Sequence, residues 1–191
     1  KVNIIWSVPN GVRADKIDEK TIKLMARAGC HYFSIGIETA NKTILQNIKK
    51  KESLEQIKVS IELAERNGIT TQGFFVLGLP GETKATLEET INFAKRSKLS
   101  RAYFGLLNIL PGSELWYTLQ GKFVPNWKNH NLIQPEWIPD GLTKEILLKA
   151  QTKAMKVFFL KPRRIYKFLK SLHFSQIKYL LKYIKALRII K

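Results

Sequence analysis

Phe74-Phe75-Val76-Leu77-Gly78-Leu79-Pro80-Gly81-Glu82-Thr83 decides the fold, because an apolar run stops in a Pro-Gly turn and restarts as a polar helix. The reading is a β-strand handing over to an α-helix. Leu79 to Glu82 suits a type II turn: Pro80 presets φ at the second position and Gly81 supplies the positive φ needed at the third. Thr83 then caps a helix starting at Lys84. A strand end, a tight turn and a helix start meet at one point, which is where α/β proteins place small ligands.

Working outward, the pattern from Val2 to Asn108 is βαβαβαβ. Val2 to Val8 reads as the first strand, followed by a Pro9-Asn10-Gly11 loop. Asp18 caps a helix whose apolar face is Ile22, Leu24, Met25 and Ala28, and Gly29 ends it. Tyr32 to Ile37 is the second strand, and Asn41 starts a short helix. Ser53 with Gln56 forms a capping box for a longer helix reaching Gly68. Thr70 to Leu77 is the third strand, Thr83 to about Ser97 its helix, and Ala102 to about Asn108 the fourth strand. Strand-helix units of about 30 to 40 residues imply parallel strands with right-handed crossovers. The fold class is therefore α/β, a partial (β/α) TIM-type barrel of about four units with a helical C-terminal tail. A bare half barrel has two apolar edges, so a completing piece is expected upstream of Lys1. The expected divisions are 1–120 for the half barrel, 121–142 for an irregular loop or lid, and 143–191 for a basic helical tail in which Pro162 opens a new helix.

Composition narrows the class. The 191 residues are 45% hydrophobic and 25% charged, which argues against wholesale disorder. No apolar run approaches the roughly 20 residues of a membrane span, and a cytoplasmic location is expected. Cys30 is the one cysteine, read as either a small buried core residue or a reactive thiol. The three histidines share no ligand spacing, so no metal site is expected within these residues. The net charge of +18 is uneven: residues 144–191 carry 14 Lys and Arg against Glu145 alone. From Ile177 the apolar residues Ile177, Leu180, Leu181, Ile184 and Leu187 alternate with Lys178, Lys182, Lys185 and Arg188 in helical spacing. This tail admits three readings: a helix packed on protein, a peripheral contact with an anionic membrane surface, or nucleic-acid binding, the least expected.

In a parallel layout, the residues just after each strand gather on one rim. Here they are Asn10, Gly11, Arg13 and Asp15, then Glu38, Thr39 and Asn41, then Gly78 to Glu82, then Asn108 and Pro111. Glu82 is read as support for the dipole of the helix it precedes. Trp127 and Trp137 are read as loop anchors or as substrate-stacking groups.

Five ordered segments resemble a known family: Pro9-Asn10-Gly11-Val12-Arg13-Ala14-Asp15, Met25-Ala26-Arg27-Ala28-Gly29-Cys30, Gly36-Ile37-Glu38-Thr39, Gly73 to Thr83, and Leu110-Pro111-Gly112-Ser113-Glu114-Leu115. The chain resembles the second half of the radical S-adenosylmethionine barrel, in the branch that often carries an upstream cobalamin-binding domain. The resemblance covers about Val2 to Leu119 and continues more loosely through Phe158-Phe159-Leu160-Lys161-Pro162-Arg163. It implies a barrel that cradles S-adenosylmethionine above a [4Fe-4S] cluster. The 5′-deoxyadenosyl radical formed there would modify or methylate an organic substrate, a small molecule or a lipid. On this resemblance, Arg13 pairs with the methionine carboxylate and Glu38 accepts hydrogen bonds from the ribose hydroxyls or the amino group. Gly78, Leu79 and Asn108 then meet the adenine. The alternative for Glu38 is contact with a helix N-terminus or a rim arginine. The family's Cys-x3-Cys-x2-Cys loop is absent from these residues, so the resemblance implies cluster ligands, and a cobalamin domain, outside this chain. The rival reading is a non-catalytic α/β binding module that docks through its basic tail.

Overall fold

The computed structural model describes residues 3–125, 127, 134–135 and 137–171. Four strands, β1 (Trp6–Val12), β2 (Cys30–Glu38), β3 (Thr70–Leu77) and β4 (Arg101–Leu106), form a parallel sheet in sequence order. Each crossover is helical: α1 (Glu19–Arg27), then α2 (Lys42–Asn47) with α3 (Leu54–Arg66), then α4 (Lys84–Arg96). After β4 come α5 (Glu114–Thr118) and α6 (Lys144–Phe159). This is the expected α/β half barrel. Two compact units divide the chain after Phe158, and α7 (Pro162–Ser171) belongs to the second, with Pro162 in its first turn.

Local sequence explains these elements. Asp18, Asn41, Ser53, Thr83 and Ser113 each accept a hydrogen bond from a backbone N–H in the first turn of the helix that follows. Ser53 and Gln56 close a reciprocal capping box, as do Thr83 and Thr86. Along β3, buried and half-buried residues alternate, which places Thr71, Gly73, Phe75 and Leu77 toward the helices. Phe33, Ile35 and Ile37 of β2, Ile57 and Ile61 of α3, and Leu87 and Ile91 of α4 complete the core on that side. Phe75 stacks on Phe104 across the β3/β4 pair, with centroids 4.9 Å apart.

The first strand departs from the sequence reading. It begins at Trp6 and runs through Pro9-Asn10-Gly11, which is therefore no terminating loop. Val8 pairs with Phe33 and Val12 with Ile35, so the intervening residues bulge out of register. Pro9, which has no N–H to give to a ladder, is tolerated because it lies in this bulge, on a strand whose one neighbour among the described residues is β2. The face expected for α1 is also narrower than its apolar residues suggest. Ile22 is buried and Met25 half-buried, but Leu24 is 53% exposed and Ala28 is exposed too. Cys30 opens β2 as a buried core residue, and burial pushes its thiol pKa up.

Helix α6 packs into the same core as the sheet. Leu147, Ala154 and Phe158 are fully buried. Phe158 meets Phe104 edge-on at 6.1 Å, and the Gln151 side chain donates to the Phe104 carbonyl at 2.8 Å. A smaller cluster of Ile44, Leu79 and Leu107, joined by Val76, Leu115 and Trp137, lies around the Pro-Gly turn. Trp137 is thus an anchor of the 122–142 loop, and Trp127 stacks on Trp116 at 6.0 Å. The pattern starting at Ile177 falls outside the described residues.

Replacing Phe158 with Ala should lower the unfolding free energy by about 3–5 kcal/mol in denaturant titration, the usual cost of emptying an aromatic core site. Met155, on the exposed side of α6, should lose less than about 0.5 kcal/mol when cut to Ala.

Candidate functional site

The rim formed by the strand C-termini carries two unusual carboxylates. Glu38 ends β2 with φ +64°, rare for a residue with a side chain. Thr39 N–H donates to the Ile37 carbonyl at 2.9 Å, so Glu38 sits at the centre of a γ-turn with positive central φ, the rarer and more strained of the two kinds. The β2/β3 ladder shifts register at the same place: Gly36 pairs with Phe74, but Glu38 pairs with Phe75. Such a bulge re-aims a side chain. A Cβ on Gly36 would come 2.5 Å from Glu38 Oε1, so a larger residue there would displace the carboxylate from this position. Burial raises the Glu38 pKa, Lys50 lowers it, and Glu52 raises it again.

Lys50 and Glu52 were not singled out in the sequence. Lys50 Nζ lies 2.7 Å from Glu52 Oε2 and 3.7 Å from Glu38 Oε1. Glu52 Oε1 in turn accepts from the Ala14 N–H at 2.5 Å. The segment after β1 and the end of β2 are thereby joined through three side chains. The one available signal was Glu52 as the only acid among Lys49, Lys50 and Lys51.

Glu82 corrects its sequence reading. It does not serve the dipole of α4, whose cap is Thr83. Its side chain folds back instead, and Oε2 accepts from the N–H groups of Gly78 at 2.5 Å and Leu79 at 3.2 Å. The turn itself is as expected, with Glu82 N–H donating to the Leu79 carbonyl at 3.0 Å and Gly81 at φ +81°. The Glu82 side chain is 1% exposed, Oε1 is buried without a hydrogen-bond partner, and desolvation pushes the pKa up to about 7.

The other expected residues occupy the same rim. Arg13 follows β1 and forks onto Asp15 at 2.9 and 2.7 Å, with its side chain 55% exposed. Gly78 and Leu79 both spend their N–H groups on Glu82. Gly78 also packs closely, because a Cβ there would lie 3.4 Å from Leu147. Asn108 is half-buried just past β4, between buried Leu107 and Ile109. The structure connects Arg13 to Glu38 only indirectly, by way of Ala14, Glu52 and Lys50.

The parallel half barrel gathers these residues at its strand ends, where barrel folds place their ligand sites, and comparison with known proteins specifies the class. Residues 5–94 match the Radical SAM superfamily, and the chain belongs to that superfamily. It is 31% identical over 169 residues to an uncharacterized methyltransferase, PH0819, of Pyrococcus horikoshii, covering 87% of this chain and 36% of that protein. Over 160 residues it is 31% identical to the anaerobic magnesium-protoporphyrin IX monomethyl ester cyclase of Rubrivivax gelatinosus, covering 83% of this chain and 29% of the cyclase. The chain thus spans about a third of the length of these relatives. The radical S-adenosylmethionine methyltransferase TsrM from Kitasatospora setae, solved with cobalamin and a [4Fe-4S] cluster, shares the fold. The TM-score is 0.53 at 20% identity, over 58% of this chain and 22% of that one.

A three-thiolate cluster does not fit the residues present. Cys30 is the one thiol in the sequence, buried at the opposite end of β2 from Glu38, roughly 25 Å along an extended strand. S-adenosylmethionine does fit the chemistry of the rim, where the Glu38 carboxylate, held in a strained turn, could accept from that molecule's hydroxyl and ammonium donors.

Glu82 binds its proton more tightly in the folded chain than in the unfolded one, where a glutamate titrates near about 4.3. The stabilisation it lends is full below that value and is lost as the pH rises through about 7. Denaturant midpoints should therefore fall by the equivalent of roughly 2–3 kcal/mol between pH 5 and pH 8. Glu82→Gln should flatten that slope while keeping an acceptor for the turn.

Proposed function

We propose that this chain forms the S-adenosylmethionine-holding part of a radical enzyme that methylates or otherwise remodels an organic small molecule. The observation that carries the reading is Glu38, a non-glycine residue held at positive φ on the ligand rim with Gly36 left bare beneath it. Strain of this kind persists where surrounding structure over-determines it, and it concentrates at functional sites. When bound, S-adenosylmethionine supplies the organic radical precursor, and the cluster that reduces it takes its thiolates from residues outside this chain.

Each rim residue has a distinct task in this reading. Glu38 accepts hydrogen bonds from the ribose hydroxyls or the amino group of the ligand. Arg13 already presents a planar fork to a carboxylate, and exchanging Asp15 for the ligand carboxylate keeps that geometry. At the Pro-Gly turn Glu82 occupies two N–H groups and its own N–H takes the Leu79 carbonyl, so the Gly78 carbonyl and the apolar surface of Leu79 are what the turn offers an adenine. Asn108 contributes an amide at the end of β4. The 31% identity to the magnesium-protoporphyrin IX monomethyl ester cyclase favours a small-molecule substrate, and cobalamin, which the similarly folded TsrM carries, would be a further cofactor on a separate domain. The location consistent with this is cytoplasmic.

The test joins this chain to a Cys-x3-Cys-x2-Cys segment and reconstitutes the protein without oxygen. Reduction with dithionite should release 5′-deoxyadenosine and methionine. Glu38→Ala should weaken S-adenosylmethionine binding at least about tenfold by calorimetry, the scale of about 1.4 kcal/mol for a charge-assisted hydrogen bond. Wild-type affinity in that variant would remove Glu38 from the site.

A further inference from the structure

We propose that Lys50 is a positioning residue: it holds the Glu38 carboxylate at the rim and, through Glu52, fixes the segment carrying Arg13 to the same place. This rests on the reading of Glu38 as a ligand-binding group.

The backbone delivers Lys50 by a specific device. Helix α2 ends with Lys49 at φ +58°. Lys49 N–H donates to Gln46 and Lys50 N–H to Leu45, each at 2.9 Å, which is the paired closure of a Schellman motif. That motif usually takes glycine at the left-handed position, whereas here a lysine adopts it. The turn sends Lys50 back across the end of β2, where its side chain is largely buried beside Glu52.

One cation then faces two carboxylates. The 2.7 Å contact with Glu52 is a hydrogen-bonded ion pair, while the 3.7 Å separation from Glu38 is an ion pair only. Glu38 is thus held by charge but keeps its lone pairs for a ligand. Gly36 completes the arrangement, because a Cβ there would lie 2.5 Å from Glu38 Oε1 and 3.2 Å from Lys50 Nζ. On the far side, Glu52 grips the Ala14 N–H, and Ser60 Oγ donates to the Ala14 carbonyl at 3.2 Å. Ala14 is therefore clamped from both ends, directly after Arg13. The group carries one net negative charge, suited to a ligand that brings an ammonium or a sulfonium.

Lys50 and Glu52 are the charged groups acting on Glu38 among the described residues, and they act in opposite directions. Carbon-13 NMR titration of Glu38 in the full 191-residue chain reads this directly. Lys50→Met should raise the Glu38 midpoint, and Glu52→Gln should lower it, whereas a purely structural role would leave the midpoint in place. In the cluster-bearing protein, K50M should bind S-adenosylmethionine more weakly than wild type and regain affinity as the pH rises, and Lys50→Arg should stay within threefold of wild type.

A folded K50M with unchanged Glu38 titration and unchanged affinity overturns the proposal. If K50M fails to fold, E52Q decides: a lowered Glu38 midpoint supports the proposal and an unchanged one overturns it. Wild-type protein that binds no S-adenosylmethionine, but whose Glu38 shifts as stated in both variants, rejects the ligand reading and leaves the electrostatic coupling standing.

Discussion

The rim depends on how the β2/β3 ladder ends. Tyr32 through Gly36 pair in strict register with Thr70 through Phe74, and the ladder then skips one residue so that Glu38 faces Phe75. Without the skip, Glu38 would continue the pleat as an ordinary strand residue. With it, the chain turns over three residues, the Glu38 carboxylate lies back over Gly36, and Lys50 arrives from α2 to meet it. The sheet core is indifferent to this local cost, because Ile35, Ile37, Phe75 and Leu77 remain fully buried on the helix side. A rigid scaffold thus carries a strained terminus at the point where a ligand would bind.

Three rim glutamates are stabilised in different ways. Glu52 is buried, pairs with Lys50 and accepts from a backbone N–H. Glu82 has two N–H donors but no cation, and desolvation wins, leaving it half protonated near neutrality. Glu38 lies between them, less buried and only loosely paired. Glu52 spends its oxygens on Ala14 N–H and Lys50, and Glu82, enclosed in the turn, spends Oε2 on two backbone N–H groups. Glu38 is the one that keeps its lone pairs for something else.

Legibility followed how local each signal was. The strand, turn and helix from Thr70 to Arg96 were readable almost residue for residue, because Pro80, Gly81 and Thr83 each act on their own backbone. Pro9-Asn10-Gly11 misled for the same reason: those residues suit a turn, but an edge strand can absorb them as a bulge. Glu82 misled because a carboxylate beside a helix start usually faces the dipole, and only the folded turn exposes two closer N–H groups. Lys50 and Glu52 were invisible. Their meaning comes from Ala14 and Glu38, which are distant in sequence, and from a left-handed Lys49 where the rule leads one to look for glycine.

The electrostatics of the rim run against those of the chain. A net charge of +18, concentrated from Lys144 onward, suggests a protein that seeks anions. The strand ends offer the reverse, with a free-lone-pair carboxylate at Glu38 and a turn whose Gly78 and Leu79 N–H groups are already taken. Arg13 is the main cationic donor there, and Asp15 already holds it. A purely anionic ligand such as a nucleotide triphosphate would find few donors. Glu38 as a single carboxylate with lone pairs to give, and the Arg13 fork on the same rim, suit a ligand that carries an ammonium or hydroxyl group and a carboxylate, which is compatible with the proposed S-adenosylmethionine.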